Sequence, residues 1–321
     1  MKNHQHISQA IWQKIQAAEN ILLFSHQSPD GDTLGSNLAL TKYLKNIGKQ
    51  VTSFCIDPVP DNLKFLPNHH WIDSDHIIFT KKYEVVIALD SGSLDYAGVE
   101  NLLTALSGDF SFINIDHHAS NTHYGQINLV IPDASSTAEV VYRLLKDWNI
   151  DWDSDIANCL ACGLITDTGG FKNAATTYLS LNAAADLHRQ GAKLQHIINK
   201  TVNNNEFQHL KLWGRALARL QSNDQYKLVY TFLTQADFQE CGVDGNKIEG
   251  LSNFLHILNE GKIVLILKED NNNAIRGSLR TNTNIDLAKL AKAFGGGGHK
   301  KASGFILPGR LNYVNNKLTV I

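Results

Sequence analysis

Four blocks of aspartate and histidine lie at the ends of apolar runs in this sequence. Three blocks directly follow a short apolar run, and the fourth comes at the end of a longer one. Their members are His26, Asp30, Asp32, Asp90, Asp116, His117, His118 and Asp167. Polar side chains that follow parallel strands meet at one edge of the sheet, where open α/β folds bind ligands. Carboxylates gathered there would repel one another unless cations lay between them, so the blocks predict a metal site.

The first block places three ligand-type side chains between His26 and Asp32. Pro29 and Gly31 predict a tight loop that turns the flanking carboxylates to the same side. Histidine and aspartate favour a harder divalent ion, such as manganese or magnesium, over an ion that prefers thiolates. An isolated Asp-Gly-Asp sequence is more often a solvated turn, so the prediction depends on the four blocks occurring together.

The segments that must position these blocks alternate between short apolar runs and helix-like stretches. This alternation is typical of parallel βαβ units with helices on both faces of the sheet. The predicted strands are 21–25, 51–56, 85–89 and 112–115. The predicted helices are 34–47, one that starts at the capping sequence 136–139, and most of 153–189 with a break at 168–170.

A chain of 321 residues is long for one domain, so two domains are expected. We expect a metal-binding α/β domain at 1–190, a helical linker at 191–222 and a smaller α+β domain at 223–321. In the last domain the predicted strands are 227–232, 263–267, 274–279 and 304–307. The predicted helices there lie around 237, at 248–258 and at 286–294.

Composition narrows the class of protein. The 29 basic and 31 acidic residues give a formal net charge of −2, which argues against a large electrostatic footprint on long nucleic acid. No apolar run has the length of a signal-peptide core or of a bilayer span, so we expect a cytoplasmic protein. Cys159 and Cys162 have C-x-x-C spacing, but they lie in a helix-like apolar stretch, which favours packing over redox or zinc chemistry.

The blocks resemble those of the DHH phosphoesterase superfamily, which is named for the triplet at 116–118. Asn121 and the runs 128–130 and 136–139 are similar to the sequence that follows the triplet in family members. The glycine-rich run 295–304 resembles the motif of the accompanying DHHA1 domain. The resemblance therefore covers nearly the whole chain.

Three positions depart from the family pattern. Thr33 stands where members often carry alanine, and Gly170 and Lys172 vary the loop after Asp167. We expect these departures to touch none of the metal ligands.

The resemblance implies two divalent metal ions, with Mn²⁺ expected and Mg²⁺ as the alternative. The first ion is expected on His26, Asp30 and Asp90. Asp90 then bridges to the second ion, whose other ligands are Asp32, His117 and Asp167. Asp116 is expected to orient its neighbours, and His118 to contact the scissile phosphate or protonate the leaving group.

The second domain is expected to bind the substrate. Arg280 ends a predicted strand and can hold a phosphate with two hydrogen bonds or stack on a base. The glycine run lets the backbone approach a ligand closely. The expected substrate contacts are Arg280, His299, Ser278, Gly297, Gly298 and Lys301.

The two-domain layout resembles the nanoRNase and pAp-phosphatase branch. Such an enzyme hydrolyses short oligoribonucleotides to mononucleotides and 3′-phosphoadenosine 5′-phosphate (pAp) to AMP. The close alternative is a phosphodiesterase of cyclic-di-AMP or pApA. An exopolyphosphatase or pyrophosphatase is less favoured because the second domain offers mainly Arg276 and Arg280 beside the glycine run.

A catalytically silent nucleotide sensor remains as a further alternative. It would be expected to lack a ligand, and none is missing. The expected partners are short RNA or small nucleotides rather than long duplex nucleic acid or a membrane, and a homodimer is left open.

Overall fold

The computed structural model describes residues 4–149, 151–203, 207–243, 251–255, 261–270, 273–298, 300–314 and 317–321. The chain forms two compact units, Met1–Asn204 and Asn205–Ile321. The predicted division into 1–190, 191–222 and 223–321 stays a prediction. Within the described residues, no helix combines the length and the apolar character needed to cross a membrane.

The first unit is built on a six-stranded parallel sheet in the order β3-β2-β1-β4-β5-β6. The strand order reverses between β1 and β4, because the chain builds outward from β1 and then returns to the other side of it. The strands are β1 (Asn20–Ser25), β2 (Gln50–Phe54), β3 (Ile72–Asp73), β4 (Val85–Leu89), β5 (Ser111–Asp116) and β6 (Ile127–Val130).

Helices connect these strands and cover the sheet. They are α1 (Gln5–Ala17), α2 (Gly31–Asn46), α3 (Leu94–Ala97), α4 (Glu100–Leu103), α5 (Thr137–Asp147), α6 (Ser154–Asp167), α7 (Tyr178–Arg189) and α8 (Leu194–Lys200). Three 3₁₀ segments lie at Asp61–Leu63, His69–Trp71 and His76–Thr80.

Alternating side chains of the central strands divide the core into two layers. Ile21 and Leu23 of β1 pack in one cluster with α1, α2, α5 and α6. Leu22 and Phe24 face the opposite layer, which α3, α4 and the 3₁₀ segment at His76–Thr80 complete. The strands read as nearly continuous apolar runs because both faces of the sheet are covered.

Helices α2 and α6 approach each other closely at two glycines. A Cβ at Gly35 would lie 2.4 Å from the carbonyl oxygen of Cys159, and a Cβ at Gly163 would lie 2.5 Å from Asp32 Oδ1. Both separations are far shorter than a carbon–oxygen contact allows. Glycine at these positions therefore lets α6 bring its last residue, Asp167, toward the start of α2.

The second unit contains a mixed six-stranded sheet in the order β11-β12-β10-β9-β8-β7. Its neighbours pair antiparallel except for β8 and β9, which are parallel. The strands are β7 (Gln221–Asn223), β8 (Leu228–Leu233), β9 (Ile263–Glu269), β10 (Ala274–Arg280), β11 (Gly297–Gly298) and β12 (Ala302–Pro308). A separate hairpin joins β13 (Leu311–Val314) and β14 (Lys317–Val320).

The helices of the second unit pack in two apolar clusters. They are α9 (Phe207–Ala218), α10 (Gln235–Cys241), α11 (Leu251–Leu255) and α12 (Leu287–Lys292). Helices α9, α10 and α11 share a cluster with Val264 and Ile266 of β9. Helix α12 packs in the other cluster with Ile275 and Leu279 of β10 and with Phe305 of β12.

The predicted fold class is confirmed, and most predicted elements are present with shifted ends. The largest local error is at the Asp-Gly-Asp sequence, which is not a loop. Asp30 is the N-cap of α2, and Gly31 and Asp32 form its first turn. The predicted break near 168–170 is longer than expected, since α6 ends at Asp167 and α7 starts at Tyr178. Part of the predicted helix 248–258 lies outside the described residues.

Candidate metal centre

The register of the sheet brings the first three acid–histidine blocks to the same level. Parallel pairing aligns Ser25 at the end of β1 with Leu89 at the end of β4, and Leu89 with Ile115 of β5. His26 and Asp90 directly follow β1 and β4, and Asp116 is the last residue of β5. The reversal of strand order lies between β1 and β4, which is where doubly wound sheets bind ligands. The strand ends therefore converge as the sequence predicts.

The first cluster consists of His26, Asp30 and Asp90, whose candidate ligand atoms lie within 4.8 Å of one another. His26 Nε2 is 3.4 Å from Asp90 Oδ2. His26 Nδ1 is 2.6 Å from the carbonyl oxygen of Gln27. Because a carbonyl oxygen only accepts, Nδ1 carries a proton and donates it, which points Nε2 at the carboxylates.

The second cluster consists of Asp32, His117 and Asp167, which meet the same 4.8 Å separation. His117 Nε2 is 3.2 Å from Asp167 Oδ2 and 3.9 Å from Asp32 Oδ2. It is also 3.9 Å from Asp90 Oδ1, whereas Asp90 Oδ2 faces His26 in the first cluster. Asp90 thus lies between the two clusters and presents a different oxygen to each.

Backbone geometry and α5 hold the two central carboxylates. Asp90 has a left-handed backbone with φ of 57°, a conformation that is uncommon outside glycine and costs free energy. Its Oδ1 accepts a 2.9 Å hydrogen bond from Thr137 Oγ1. Asp32 accepts from the backbone N–H groups of Thr137 and Ala138 at 2.6 and 2.8 Å, where the start of a helix favours negative charge.

Thr137 and Ala138 contact the site although neither was predicted to belong to it. The available signal was the capping sequence at 136–139, because unpaired N–H groups at a helix start attract a carboxylate. Ser136 does cap α5 by accepting from the Glu139 N–H at 3.0 Å. The backbone N–H groups of the two residues after this cap donate to Asp32. The capping sequence therefore indicates a contact to the site as well as the start of a helix.

Asp116 belongs to neither cluster and instead forms a hydrogen bond with His118. Its Oδ1 accepts from His118 Nδ1 at 2.8 Å, and its Oδ2 accepts from Asn121 Nδ2 at 2.6 Å. Burial lowers the pKa of His118, but the hydrogen bond and charge of Asp116 outweigh burial and raise it to about 9. Asp90, His117 and His118 form a third group within 4.8 Å, so His118 also borders the clusters.

The carboxylates at the clusters shift one another's pKa values. Burial and the negative charge of Asp90 raise the pKa of both Asp32 and Asp167 well above its usual value. Burial also disfavours the charge of Asp90, but the hydrogen bond and charge of His26 overcome it and lower that pKa. A cation between these groups would favour their ionised forms, so this donor set fits divalent ions.

Thr33 contacts the first cluster, so the expectation that this departure touches no ligand is wrong. Its Oγ1 lies 2.6 Å from His26 Nε2, 2.8 Å from Asp90 Oδ2 and 3.0 Å from Asp30 Oδ1. The expectation failed because the helix was predicted to start at residue 34. In the first turn of α2 the Thr33 side chain instead points back toward the helix start, where the ligands lie.

Four of the predicted substrate contacts of the second unit lie on β10 and β11, the strands on either side of β12. Gly304 of β12 pairs with Ser278 of β10 on one side and with Gly297 of β11 on the other. Gly298 has φ of +131°, and a Cβ there would lie 2.8 Å from a backbone oxygen of β12. Arg280 ends β10 on the face it shares with Ser278. The glycine run therefore forms a short strand instead of an irregular loop.

The other two predicted contacts are less defined. Lys301 is exposed and donates to the carbonyl oxygen of Thr283. His299 lies outside the described residues.

Arg280 is half-buried and donates a 3.0 Å hydrogen bond to the Leu279 carbonyl oxygen. Burial lowers the pKa of its guanidinium.

The C-x-x-C pair belongs to the packed interior. Cys159 and Cys162 lie in α6 as buried free thiols. Burial raises the pKa of both thiols, which disfavours the reactive thiolate. Neither residue belongs to a potential metal-binding group in the described part of the chain.

Fold and site together define a class of protein. A doubly wound parallel sheet gathers four carboxylates and three imidazoles around its carboxyl edge, and this donor set suits divalent cations with oxygen and nitrogen ligands. The class is an α/β protein with a candidate metal centre at the switch point of its sheet.

Comparison with known proteins gives the family. Residues 20–164 match the model of the DHH family N-terminal domain, and residues 225–319 match that of the DHHA1 domain. The chain belongs to the DHH/DHHA1 superfamily and is a phosphoesterase, a hydrolase.

Individual relatives extend this result. The chain is 28% identical to the bifunctional oligoribonuclease and PAP phosphatase NrnA of Thermus thermophilus, over 93% of this chain and 90% of the relative. It is 27% identical to an exopolyphosphatase-related protein from Bacteroides fragilis of solved structure, with a TM-score of 0.84 over 94% and 91% of the two chains. A probable manganese-dependent inorganic pyrophosphatase of Streptococcus thermophilus is 23% identical over 52% of this chain and 53% of its own.

Proposed function

We propose that this phosphoesterase hydrolyses short oligoribonucleotides to mononucleotides and pAp to AMP, using two divalent metal ions. The observation that carries the proposal is the position of Asp90 between the two clusters, with one carboxylate oxygen facing each. The similarity to an oligoribonuclease and PAP phosphatase over nearly the full length of both chains supports the substrate class.

The proposed ligands divide between the clusters. His26, Asp30 and Asp90 would hold one ion, and Asp32, Asp90, His117 and Asp167 would hold the other. Four aspartates offset the charge of two divalent ions, which leaves the site near neutral before an anionic substrate arrives. Nitrogen and carboxylate oxygen donors without thiolates suit Mn²⁺, with Mg²⁺ as the alternative. Bound ions of this kind supply a water-derived nucleophile at neutral pH and neutralise charge at the phosphate.

His118 is proposed to act on the substrate. Asp116 accepts from its Nδ1, which fixes the ring and leaves Nε2 to reach the substrate. The hydrogen bond and negative charge of Asp116 raise the pKa of His118 and so favour the protonated ring. It can therefore hydrogen-bond a phosphate oxygen or protonate the leaving oxygen.

The second unit is proposed to select the substrate. Arg276, Ser278 and Arg280 lie on one face of β10, because alternate residues of a strand point to the same side. Arginine can hold a phosphate with two parallel hydrogen bonds. Lys301 and His299 are the other proposed substrate contacts. With a formal net charge of −2, the protein suits a ligand of few phosphates better than a long polyanion.

A substrate panel tests this assignment. Purified protein with Mn²⁺ is incubated separately with pAp, RNA of two to five nucleotides, cyclic-di-AMP, pApA, inorganic polyphosphate, pyrophosphate and long RNA. We expect the highest kcat/KM for short RNA and pAp, and the Asp90→Ala protein serves as the contamination control. Preference for polyphosphate would support the activity suggested by the Bacteroides relative, and rapid cleavage of long RNA would contradict the short-substrate proposal.

A further inference from the structure

The hydroxyl of Thr33 is placed among atoms that are expected to bind a cation. The residue is completely buried in the first turn of α2. Its Oγ1 is 2.6 Å from His26 Nε2 and 2.8 Å from Asp90 Oδ2. A hydroxyl has one hydrogen, so it can donate to only one of the two carboxylates that surround it, and its oxygen keeps two lone pairs as acceptor sites.

These separations are those of neighbouring ligands on one ion. In an octahedral site with bonds of about 2.1 Å, adjacent donor atoms lie roughly 3.0 Å apart. Thr33 Oγ1 has separations of 2.6 and 2.8 Å from its two partners, and those partners are 3.4 Å from each other. The hydroxyl oxygen, the imidazole nitrogen and the carboxylate oxygen form a compact triangle of donors.

Helix capping does not explain the position of this hydroxyl. Asp30 Oδ1 caps α2 by accepting from the backbone N–H groups of Asp32 and Thr33 at 2.9 and 3.0 Å. The Thr33 hydroxyl also lies 3.0 Å from this Asp30 oxygen, but the cap is formed by the two backbone bonds. Valine or alanine would keep both backbone bonds, so capping does not require a hydroxyl at this position.

We propose that Thr33 Oγ1 is an additional oxygen donor for the cation of the first cluster and raises the affinity of that site. Threonine at this position would give the first site a neutral ligand that alanine cannot supply. The inference rests on the proposed assignment of His26, Asp30 and Asp90 to a divalent ion.

The test is a Mn²⁺ titration of chelator-treated, full-length protein, followed by electron paramagnetic resonance. The variants are Thr33→Val, which keeps the shape and removes the hydroxyl, and Thr33→Ser, which keeps the hydroxyl. We expect Thr33→Val to weaken one of two binding steps by about tenfold or more, and Thr33→Ser to bind like the unaltered protein. Thr33→Ala provides a second hydroxyl-free variant if Thr33→Val folds poorly.

Thr41→Val is the matched control. Thr41 is buried on the same helix, and its hydroxyl pairs with Asn37 and Ser53 instead of the cluster. Removing this hydroxyl should leave both Mn²⁺ binding steps unchanged. Thermal unfolding in chelator shows whether any variant has lost its fold.

The outcomes separate the two proposals. Unchanged or tighter Mn²⁺ binding by folded Thr33→Val and Thr33→Ala, with two binding steps in the unaltered protein, would overturn the role of Thr33 and leave the metal assignment standing. Absence of Mn²⁺ binding by the unaltered protein would overturn both.

Discussion

The candidate metal centre and the β10–β12–β11 edge, the proposed substrate surface, are built in two different ways. At the metal centre, Asp32 and Asp90 are buried, and each accepts hydrogen bonds from groups distant in sequence. At the strand edge, Gly297, Gly298 and Lys301 are exposed, and backbone pairing defines the local structure. One surface is fixed by buried side chains, and the other by the path of the backbone.

This difference suggests a division of labour. Ligands that bind a cation must be held to within a fraction of an ångström, which requires buried and mutually supporting contacts. A surface that selects among small nucleotides can change its exposed side chains without disturbing the sheet beneath it. We therefore expect substitutions at the centre to abolish the reaction and substitutions at the edge to change its substrate preference.

Replacement of Asp90 should have the largest effect. Asp90→Ala removes the carboxylate shared by both clusters, so we expect phosphoester hydrolysis to fall by about 10⁴-fold or more and bound Mn²⁺ to decrease. Steady-state kinetics and elemental analysis measure the two quantities. Asp95→Ala, which replaces an exposed acid of α3, should change neither. An active Asp90→Ala protein with full metal content would contradict the assignment of Asp90 as a ligand of both ions.

Replacement of His118 should have the next largest effect and distinguishes a proton donor from a ligand. His118→Gln should lower kcat by about 10² to 10⁴ while Mn²⁺ content stays the same. A p-nitrophenyl ester, whose leaving group needs no proton, should recover much of the rate. His123→Asn, on an exposed position of the same loop, is the control. Loss of Mn²⁺ from folded His118→Gln would show that His118 is a ligand.

Arg280→Lys should have the smallest effect and act on substrate binding. Lysine keeps the charge but cannot form the paired hydrogen bonds of a guanidinium. Because a hydrogen bond to a charged group contributes about 1.5–3 kcal/mol, we expect KM for pAp to rise by roughly tenfold or more with little change in kcat. Arg310→Lys replaces an exposed residue between β12 and β13 and should leave KM unaltered. A fall in kcat at constant KM would contradict a binding role.

The sequence predicted the parts of the molecule that local pattern determines. Apolar runs followed by acids identified β1, β4 and β5, and parallel pairing brings such strand ends together. The C-x-x-C pair was correctly assigned to packing because its helical context was visible. The residues that converge at the candidate metal centre could therefore be named before their geometry was known.

The misses have a common cause. The start of α2 was placed three residues late because Pro29 and Gly31 favour a turn, whereas Asp30 supplies the helix cap. This error hid the contact of Thr33 with the first cluster. Thr137 and Ala138 reach Asp32 from more than a hundred positions away, and periodicity gives no information on such contacts.

Anomalous diffraction at the manganese edge, from crystals of the protein grown with Mn²⁺, would locate the proposed ions. We expect two peaks about 3.5–4 Å apart, one beside His26 and Asp30 and one beside Asp32, His117 and Asp167, with Asp90 between them. A single peak, or a pair of peaks that Asp90 does not contact, would contradict this expectation.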